Sequence, residues 1–304
     1  MKKRLSVFGI GLVLFATATG NAVVSIDTEM VKRSVVFIYA ANRNGEVDKA
    51  KQLATGFLVS VPKTGSQSFY MFLVTARHVV DPAWAGCSEI NPSRVFIRVN
   101  KVGFDPAANE SGVLYLPVDL IQNGKPTWFR SKDNHVDAAV VDVPEELGSG
   151  KFDVRFILFR NFGRRDEISK VGIGSDVASA GLVPGLQGFR RNYPIFKFGK
   201  IGAIPDEMAT FKCAKDSMTV PIRVWWLSVN LVAGNSGSPI FFTPLFPPGA
   251  DVTLGEPRTM IIGLQSISVE GSDIAGMTPS EYIVDIFHDI APFNGDLNLG
   301  LPTK

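Results

Sequence analysis

Cysteine is scarce in this chain, and its scarcity limits the chemistry that the sequence can support. Cys87 and Cys213 are the only two cysteines among 304 residues. Neither has a second ligand type at a usual metal spacing, which argues against a zinc site. The two thiols can form one disulfide in an oxidising compartment, and the sequence leaves open whether they lie close together.

The sequence also lacks the short motifs that bind nucleotides or catalytic metals. It contains no Walker loop, no His-Glu-x-x-His pair and no dinucleotide fingerprint. It has no repeat at a solenoid or propeller period and no low-complexity segment. These absences exclude the common nucleotide-dependent and zinc-dependent enzyme classes, and we expect no cofactor and no metal.

An excess of charge of one sign is likewise missing. The chain has 31 Lys and Arg against 29 Asp and Glu, and loss of residues 1–22 would remove three basic and no acidic residues. The basic doublets at 164–165 and 190–191 are better explained as solvated loop positions than as a phosphate-binding surface. A nearly neutral chain argues against nucleic acid as a partner.

The first 22 residues have the order of a bacterial-type secretory signal peptide. Three basic residues at positions 2–4 precede an apolar run from 5 to about 16, and small and polar residues follow up to Ala22. The apolar run is too short to cross a bilayer comfortably. We expect a periplasmic or secreted chain that begins at Val23 and has no stable membrane anchor. An uncleaved anchor or a buried helix is the alternative.

Short apolar and β-branched runs dominate the rest of the chain. Gly, Pro, Asn and Asp separate these runs, and almost no 3.6-residue periodicity lies between them, which predicts an all-β sandwich or barrel. The runs are 34–40, 56–61, 69–75, 94–99, 138–143, 195–201, 223–229, 239–242 and 260–268.

One helix is predicted near the C-terminus. Thr278 can cap it, Pro279 suits its first position and Glu281 completes a capping box. An apolar stripe for packing on a barrel follows, made of Ile283, Ile286, Phe287 and Ile290.

Three segments carry the residue types that amide hydrolysis by a hydroxyl requires. Such a reaction needs a base, a group that orients the base and backbone donors for the oxyanion. His78 follows an apolar strand, Asp137 precedes another, and Ser236 lies in Gly-Asn-Ser-Gly-Ser-Pro. Glycines beside a serine let the backbone turn tightly and point N–H groups at one spot.

At these segments the chain resembles the trypsin-like serine peptidases, especially the bacterial HtrA-like and Glu-endopeptidase-like branches. The matching motifs are Thr-Ala-Arg-His at 75–78, Asp-Ala-Ala-Val at 137–140 and Gly-Asn-Ser-Gly-Ser-Pro at 234–239, in the family's order. The resemblance implies two six-stranded antiparallel Greek-key barrels, over 23–147 and 148–277, joined near 144–150. A C-terminal helix and tail over 278–304 follow, without a PDZ domain.

The resemblance implies an exported serine endopeptidase that cleaves proteins or peptides through an acyl-enzyme. Ser236 would be the nucleophile, His78 its base and Asp137 the residue that orients the base. The N–H groups of Gly234 and Ser236 would form the oxyanion hole. Asn235 departs from the digestive enzymes, whose Asp pairs with a newly cut N-terminus, and an amide cannot form that ion pair. We therefore expect no activation of that type.

The resemblance also places a primary specificity pocket. Asn230 would form its floor, and Ser266, Ile267 and Ser268 would form the edge strand that pairs with the substrate main chain. A floor without a carboxylate gives no reason to prefer Lys or Arg. We therefore expect a small or medium uncharged side chain before the cleaved bond.

Alternative residues and functions remain open at this stage. Asp133 and Asp142 are rivals of Asp137, and His135 would project on the same side of an extended chain as Asp137. A trypsin-like barrel that binds a peptide or envelope component, with little or no hydrolysis, is the main rival function. Its motivation is Ser238, which stands where the family commonly has Gly.

An α/β-hydrolase is a further alternative. It would use Ser236, Asp285 and His288 in that order along the chain. This fold needs a Gly-x-Ser-x-Gly elbow between a strand and a helix, whereas Ser238 here replaces the second glycine.

Overall fold

The computed structural model describes residues 27–63, 65–105, 107, 110–213, 218–243 and 259–290. The predicted signal peptide and the tail after residue 290 lie outside these residues. No helix within the described ranges combines the length and the apolar character that a membrane span needs.

The first part of the chain forms an eight-stranded sheet and a short two-stranded ribbon. The strands are β1 (Val35–Ala41), β2 (Val47–Pro62), β3 (Phe69–Thr75), β4 (Arg94–Asn100), β5 (Val113–Asp119), β6 (Ile121–Gln122), β7 (Lys125–Pro126), β8 (Trp128–Arg130), β9 (Ala139–Asp142) and β10 (Ile157–Leu158). The sheet order is β5-β4-β1-β2-β3-β9-β8, with β10 parallel to β2, while β6 pairs with β7.

The second part forms a closed six-stranded antiparallel barrel. The strands are β11 (Asp176–Gly181), β12 (Ile195–Ala203), β13 (Ala209–Lys212), β14 (Thr219–Ile222), β15 (Trp225–Ser228), β16 (Pro239–Phe242), β17 (Met260–Ser268) and β18 (Ile274–Pro279). The barrel order is β11-β12-β15-β18-β17-β16, and β13 and β14 form a separate antiparallel pair.

Helices are short in the described residues. The α-helices are α1 (Thr28–Ser34), α2 (Arg77–Val80), α3 (Arg165–Ile168) and α4 (Ser280–Asp289), and single 3₁₀ turns cover Glu145–Gly148 and Phe159–Asn161. Helix α4 buries its apolar stripe as predicted, and Phe287 packs edge-on against Phe72 at 5.5 Å between ring centroids.

The predicted start of the C-terminal helix is one residue too early, because the cap is Pro279 and the first helical residue is Ser280. Thr278 and Pro279 still belong to β18, where they pair with Leu264 and Gly263 of β17. The backbone of Thr278 is therefore used by the barrel, and its side chain does not cap the helix. Tertiary pairing outweighs the local capping signal here.

The all-β class, the closed barrel and the C-terminal helix agree with the prediction. All nine predicted runs overlap strands, and 69–75, 239–242 and 260–268 match their bounds. The first sheet has eight strands rather than six, because the short β8 and β10 join it. Since β10 still pairs with β2, the first unit extends past the boundary expected near residue 147.

A buried arginine joins the two units. Arg98 of β4 is 2 % exposed, and its guanidinium donates to five acceptors in the segment between β11 and β12. Four of these acceptors are main-chain carbonyls, and the fifth is Asn192 Oδ1 at 2.9 Å. Asn192 in turn donates to the carbonyl of Arg98. The guanidinium therefore fixes a loop of the second unit against a strand of the first.

We predict that Arg98→Met lowers the free energy of unfolding by at least about 3 kcal/mol, because it removes several charge-assisted hydrogen bonds and leaves buried carbonyls unpaired. Chemical denaturation measures the change. Arg160→Met, at an exposed arginine, is the control and should stay within about 0.5 kcal/mol of the wild type. Equal effects of the two substitutions would contradict the role assigned to Arg98.

Candidate active site

His78 and Asp137 are brought together by the pairing of β3 with β9. Thr75 pairs with Ala139, so both functional residues lie just beyond the paired strand ends. The N–H of His78 donates to Asp137 Oδ1 at 3.0 Å, and His78 Nδ1 lies 2.8 Å from Asp137 Oδ2. The Asp137 side chain is fully buried, whereas the imidazole is 13 % exposed. The carboxylate thus orients the ring and leaves Nε2 available for proton transfer.

The helix that carries His78 is anchored by its neighbour Arg77. The Arg77 Nε and Nη2 atoms both lie 2.9 Å from Asp81 Oδ2, and Nη1 donates to Asn134 Oδ1 at 2.9 Å. The guanidinium also stacks over Trp84 at 4.3 Å from the ring centroid. Burial lowers the pKa of Arg77, and the ion pair with Asp81 opposes this shift.

The segment around Ser236 is docked on the middle of β2 and on the end of β3. The carbonyl of Ser236 accepts from the N–H of Thr55 at 2.9 Å. Gly237 has φ +84°, and a Cβ there would lie 2.2 Å from Thr55 O and 2.3 Å from Thr75 Oγ1. Only glycine permits this approach. Because Thr75 precedes His78 by three residues, the approach places the Ser236 segment beside the segment that carries His78.

Thr55 connects the segments that form the site. Its hydroxyl donates to Gly234 O at 2.8 Å and accepts from the N–H of Leu182 at 2.9 Å. Its carbonyl accepts from Thr75 Oγ1 at 2.8 Å. No motif identified this fully buried residue. Its signal in the sequence is weak, a hydroxyl just before the apolar run that starts at Gly56.

The buried side chain of Asn235 holds the segment around Ser236 in place through hydrogen bonds. Its Nδ2 donates to Leu182 O at 2.6 Å, and its Oδ1 accepts from the N–H of Val232 at 3.0 Å. Lys197 Nζ approaches the same Oδ1 at 3.5 Å, and burial lowers the pKa of Lys197. All of these partners belong to the uncleaved chain. The hydrogen bonds of Asn235 therefore do not require an N-terminus made by cleavage of the chain.

The predicted oxyanion donors flank Asn235. Gly234 has φ +92°, a conformation that side chains rarely adopt. Across the part of the chain that the structure describes, the N–H groups of Gly234 and Ser236 donate to no protein acceptor, whereas the N–H of Asn235 between them donates to Val232 O. Both N–H groups therefore remain available to a ligand oxygen.

Ser238 is accommodated inside the barrel. Its side chain is fully buried, and a Cβ added to Gly181 would lie 2.0 Å from Ser238 Oγ. The missing side chain at Gly181 thus provides the space for the hydroxyl. The buried Ser238 hydroxyl has no hydrogen-bond partner among the described residues.

The predicted edge strand has one side chain turned inward. The hydroxyl of Ser266 is 1 % exposed and lies 2.6 Å from Thr278 Oγ1, which is 3.4 Å from Asp137 O. The side chain of Ser266 is therefore enclosed in the barrel and does not reach the surface. Ile267 and Ser268 are partly exposed.

Asn230 differs from the expected pocket floor. Its side chain is exposed rather than enclosed, and its Nδ2 donates to Asp273 Oδ1 at 2.9 Å. The prediction of a floor without a nearby carboxylate overlooked this acid, because Asp273 is 43 residues away along the chain. A carboxylate therefore stands beside the residue assigned to the pocket.

The two cysteines form a disulfide next to His78. Cys87 follows α2 and Cys213 follows β13, and their Cα atoms are 5.1 Å apart. A cavity of about 580 Å³ opens beside the imidazole, and its lining includes both cysteines, His78 and Leu53 of β2.

The rival carboxylates of the first unit have other partners. Asp133 accepts from the His135 ring at 2.9 Å and from Arg223 Nε at 2.6 Å, which makes a separate surface cluster. Asp142 is the last residue of β9, opposite Phe72, and burial raises its pKa. The described hydrogen bonds join neither acid to His78.

The residues of the α/β-hydrolase alternative lie on α4. Asp285 lies 3.9 Å from Arg165, and the His288 ring contacts Phe159. The all-β topology lacks the alternating strands and helices that this alternative needs.

No family model matches this chain, and no curated protein matches it. Similar solved structures include the MamO protease domain from Magnetospirillum magneticum, with 14% identity, 84% of this chain and 96% of that chain covered, and a TM-score of 0.45. Tobacco etch virus protease has 12% identity, 84% and 76% coverage and a TM-score of 0.43. HL collagenase has 10% identity, 90% and 95% coverage and a TM-score of 0.47. These likenesses concern the fold alone.

We predict that Thr55→Val loosens the serine segment without changing the fold. Valine retains the shape but removes the bonds to Gly234 and Leu182, which should lower the free energy of unfolding by about 1–3 kcal/mol. The Leu182 amide should exchange its hydrogen at least about tenfold faster, measured by NMR. Thr210→Val, at an exposed threonine of β13, is the control. An unchanged Leu182 exchange rate would refute the role of Thr55.

A pH-dependent contribution to stability is predicted for Asp133. Burial alone would raise its pKa, but hydrogen bonds from His135 and Arg223 outweigh it and lower the pKa to about 2. A lowered folded-state pKa stabilises the protein above about pH 4, and the contribution is lost as the pH falls through 2. Asp133→Asn should therefore lower the free energy of unfolding by about 1 kcal/mol at pH 7, after allowance for solvent screening. Near pH 2 it should change this free energy little. Denaturation at both pH values measures it, and a pH-independent difference would contradict it.

Proposed function

We propose that this chain is an exported serine endopeptidase of the trypsin-like type, acting on proteins or peptides. The observation that carries the proposal is the docking of Gly237 against Thr55 and Thr75. This contact joins the Ser236 segment to the segment that carries His78, whose ring is oriented by Asp137. The proposed nucleophile therefore lies in a segment that touches the segment of the proposed base and its orienting carboxylate, at a junction of the two units.

The proposed reaction begins with attack of Ser236 Oγ on the carbonyl carbon of a peptide bond. His78 Nε2 accepts the hydroxyl proton and then delivers it to the leaving amine, while Asp137 stabilises the imidazolium through Nδ1. The unpaired N–H groups of Gly234 and Ser236 bind the oxyanion, a role worth about 3–4 kcal/mol for one donor. Water then attacks the acyl-enzyme by the same proton path and releases the acid.

The substrate completes the alignment of the reacting groups. In the described residues no hydrogen bond joins His78 to the Ser236 hydroxyl. Such catalytic bonds are often long in the free enzyme and shorten when substrate binds. Asn235 and Thr55 hold the serine segment in place meanwhile, so the proposed enzyme is competent without cleavage of its own chain.

The specificity belongs to the same proposal. The main chain of Ser266–Ser268 would pair with the substrate, and an uncharged side chain would precede the cleaved bond. Asp273 beside Asn230 makes a basic side chain the competing preference. Export through the N-terminal signal peptide fits an oxidising compartment, in which Cys87 and Cys213 stay bonded.

We predict that a fluorophosphonate probe labels the folded mature chain at Ser236. Ser236→Ala should abolish labelling, and Asp137→Asn should slow it by about 10⁴-fold, the loss that this change causes in a Ser-His-Asp triad. Mass spectrometry of the labelled peptide identifies the residue. His135→Ala and Ser228→Ala are matched controls and should label within about twofold of the wild type. A folded chain that binds peptides but resists the probe would favour the binding-protein alternative.

A further inference from the structure

The interior of the second barrel is polar near the segment that carries Ser236. Ser179 of β11 pairs with Ile240 of β16, whose side chain lies in the apolar core of this barrel. Residues that pair across two strands project on the same face of the sheet, so Ser179 points into the barrel. Its side chain is 2 % exposed, and among the described residues its hydroxyl has no hydrogen-bond partner.

Ser238 and Gln265 extend this polar region. Ser238 precedes Ile240 by two residues and therefore projects on the same face. The N–H of Gln265 donates to Ser238 O at 2.9 Å, and Gln265 pairs with Met277 of the same core. Within the described ranges, the Ser238 hydroxyl and both polar atoms of the Gln265 amide have no partner. Buried polar groups in native proteins nearly always have one, so these groups point to a ligand inside the barrel.

A lysine reaches the same region from the neighbouring strand. Lys197 of β12 pairs with Ser179, which places both side chains on the inner face. Its Nζ lies 3.5 Å from Asn235 Oδ1, and burial lowers its pKa. Lys200, three residues further along, has an acidic partner, because its Nζ lies 2.7 Å from Asp176 Oδ1. In the part of the chain that the structure describes, no carboxylate forms such an ion pair with Lys197.

Asn235 links this lysine to Ser238. A Cβ at Gly181 would lie 2.8 Å from Asn235 Nδ2 and 2.0 Å from Ser238 Oγ, so both polar atoms border the same point. Asn235 also lies between the two proposed oxyanion donors. The polar region is therefore directly behind the segment that carries Ser236.

We propose that this polar region binds a small monovalent anion such as chloride. Lys197 Nζ supplies the positive charge, and the hydroxyls of Ser179 and Ser238 donate hydrogen bonds to the anion, together with Nε2 of Gln265. Removal of an ammonium group from water is unfavourable unless an opposite charge accompanies it. One ammonium matches one negative charge, whereas a divalent sulfate or phosphate would bring excess charge into the barrel.

The bound anion stabilises the segment around Ser236 through the contact between Lys197 and Asn235. Binding of the anion is independent of the proposed peptidase function. Only its effect on the reactivity of Ser236 rests on that function.

Bromide is the crystallographic probe, because it has the charge of chloride and gives anomalous scattering. Crystals of the mature chain grown in sodium bromide should show an anomalous peak in contact with Lys197 Nζ and with the hydroxyls of Ser179 and Ser238. Electron density at this place without an anomalous peak would identify ordered water and would overturn the proposal.

Thermal unfolding tests the site in solution. At equal ionic strength the midpoint should be at least about 3 °C higher in sodium chloride, well above the Kd, than in sodium gluconate, whose anion is too large for the site. Lys197→Met should remove this difference. Ser179→Ala keeps the lysine and loses one donor, so it should raise the Kd for chloride about tenfold. It also carries the comparison if Lys197→Met does not fold.

The matched control is Lys200→Met. It removes one positive charge from the same strand, but this charge lies on the outer face and is paired with Asp176. The variant should keep the wild-type difference between the two salts. An equal loss in both lysine variants, or a wild type with the same midpoint in both salts, would contradict the anion site.

Labelling of Ser236 distinguishes the anion site from the peptidase function. The fluorophosphonate probe should label the wild type about fivefold faster in chloride than in gluconate, and Lys197→Met equally fast in both. A chain that labels equally in both salts and shows no bromide peak keeps the peptidase function and loses the anion site. A folded chain that binds bromide but resists the probe keeps the anion site and loses the peptidase function. Bromide binding with equal labelling in both salts would refute the link between the anion and Ser236.

Discussion

The close approach of Gly237 to Thr55 and Thr75 is the constraint on which the rest of the site depends. Two β-units meet along an interface of several strands, and at this point the segments that carry Ser236 and His78 touch directly. Any side chain at position 237 would push the backbones apart. The hydroxyls of Thr55 and Thr75 both lie at this contact. Thr55 donates across the junction to Gly234 O, and Thr75 donates to Thr55 O within the first unit.

Local patterns were sufficient to predict much of the fold and the three motifs. Runs such as 69–75 are long enough to identify a strand, whereas β10 has two residues and no pattern of its own. Thr55 and Leu182 could not be predicted, because their hydrogen bond joins residues 127 positions apart. The capping signal at Thr278 failed for the same reason: a long-range strand pairing took the backbone that a helix would have used.

Polar side chains inside the site mainly hold backbone segments in place through hydrogen bonds. Asn235 satisfies its amide on the N–H of Val232 in its own loop and on the carbonyl of Leu182, and Arg77 satisfies its guanidinium on Asp81 and Asn134. Buried polar groups that are fully hydrogen-bonded restrict a backbone to one arrangement. The segments that carry His78 and Ser236 are therefore both held in position by hydrogen bonds within the folded chain.

The hydrogen bonds of the Arg98 guanidinium have a consequence for the folding of the newly made chain. It bridges one strand of the first unit and five acceptors of the second, so these acceptors obtain their charged partner only when both units are present. A nascent chain must wait until residue 192 has emerged before this contact exists.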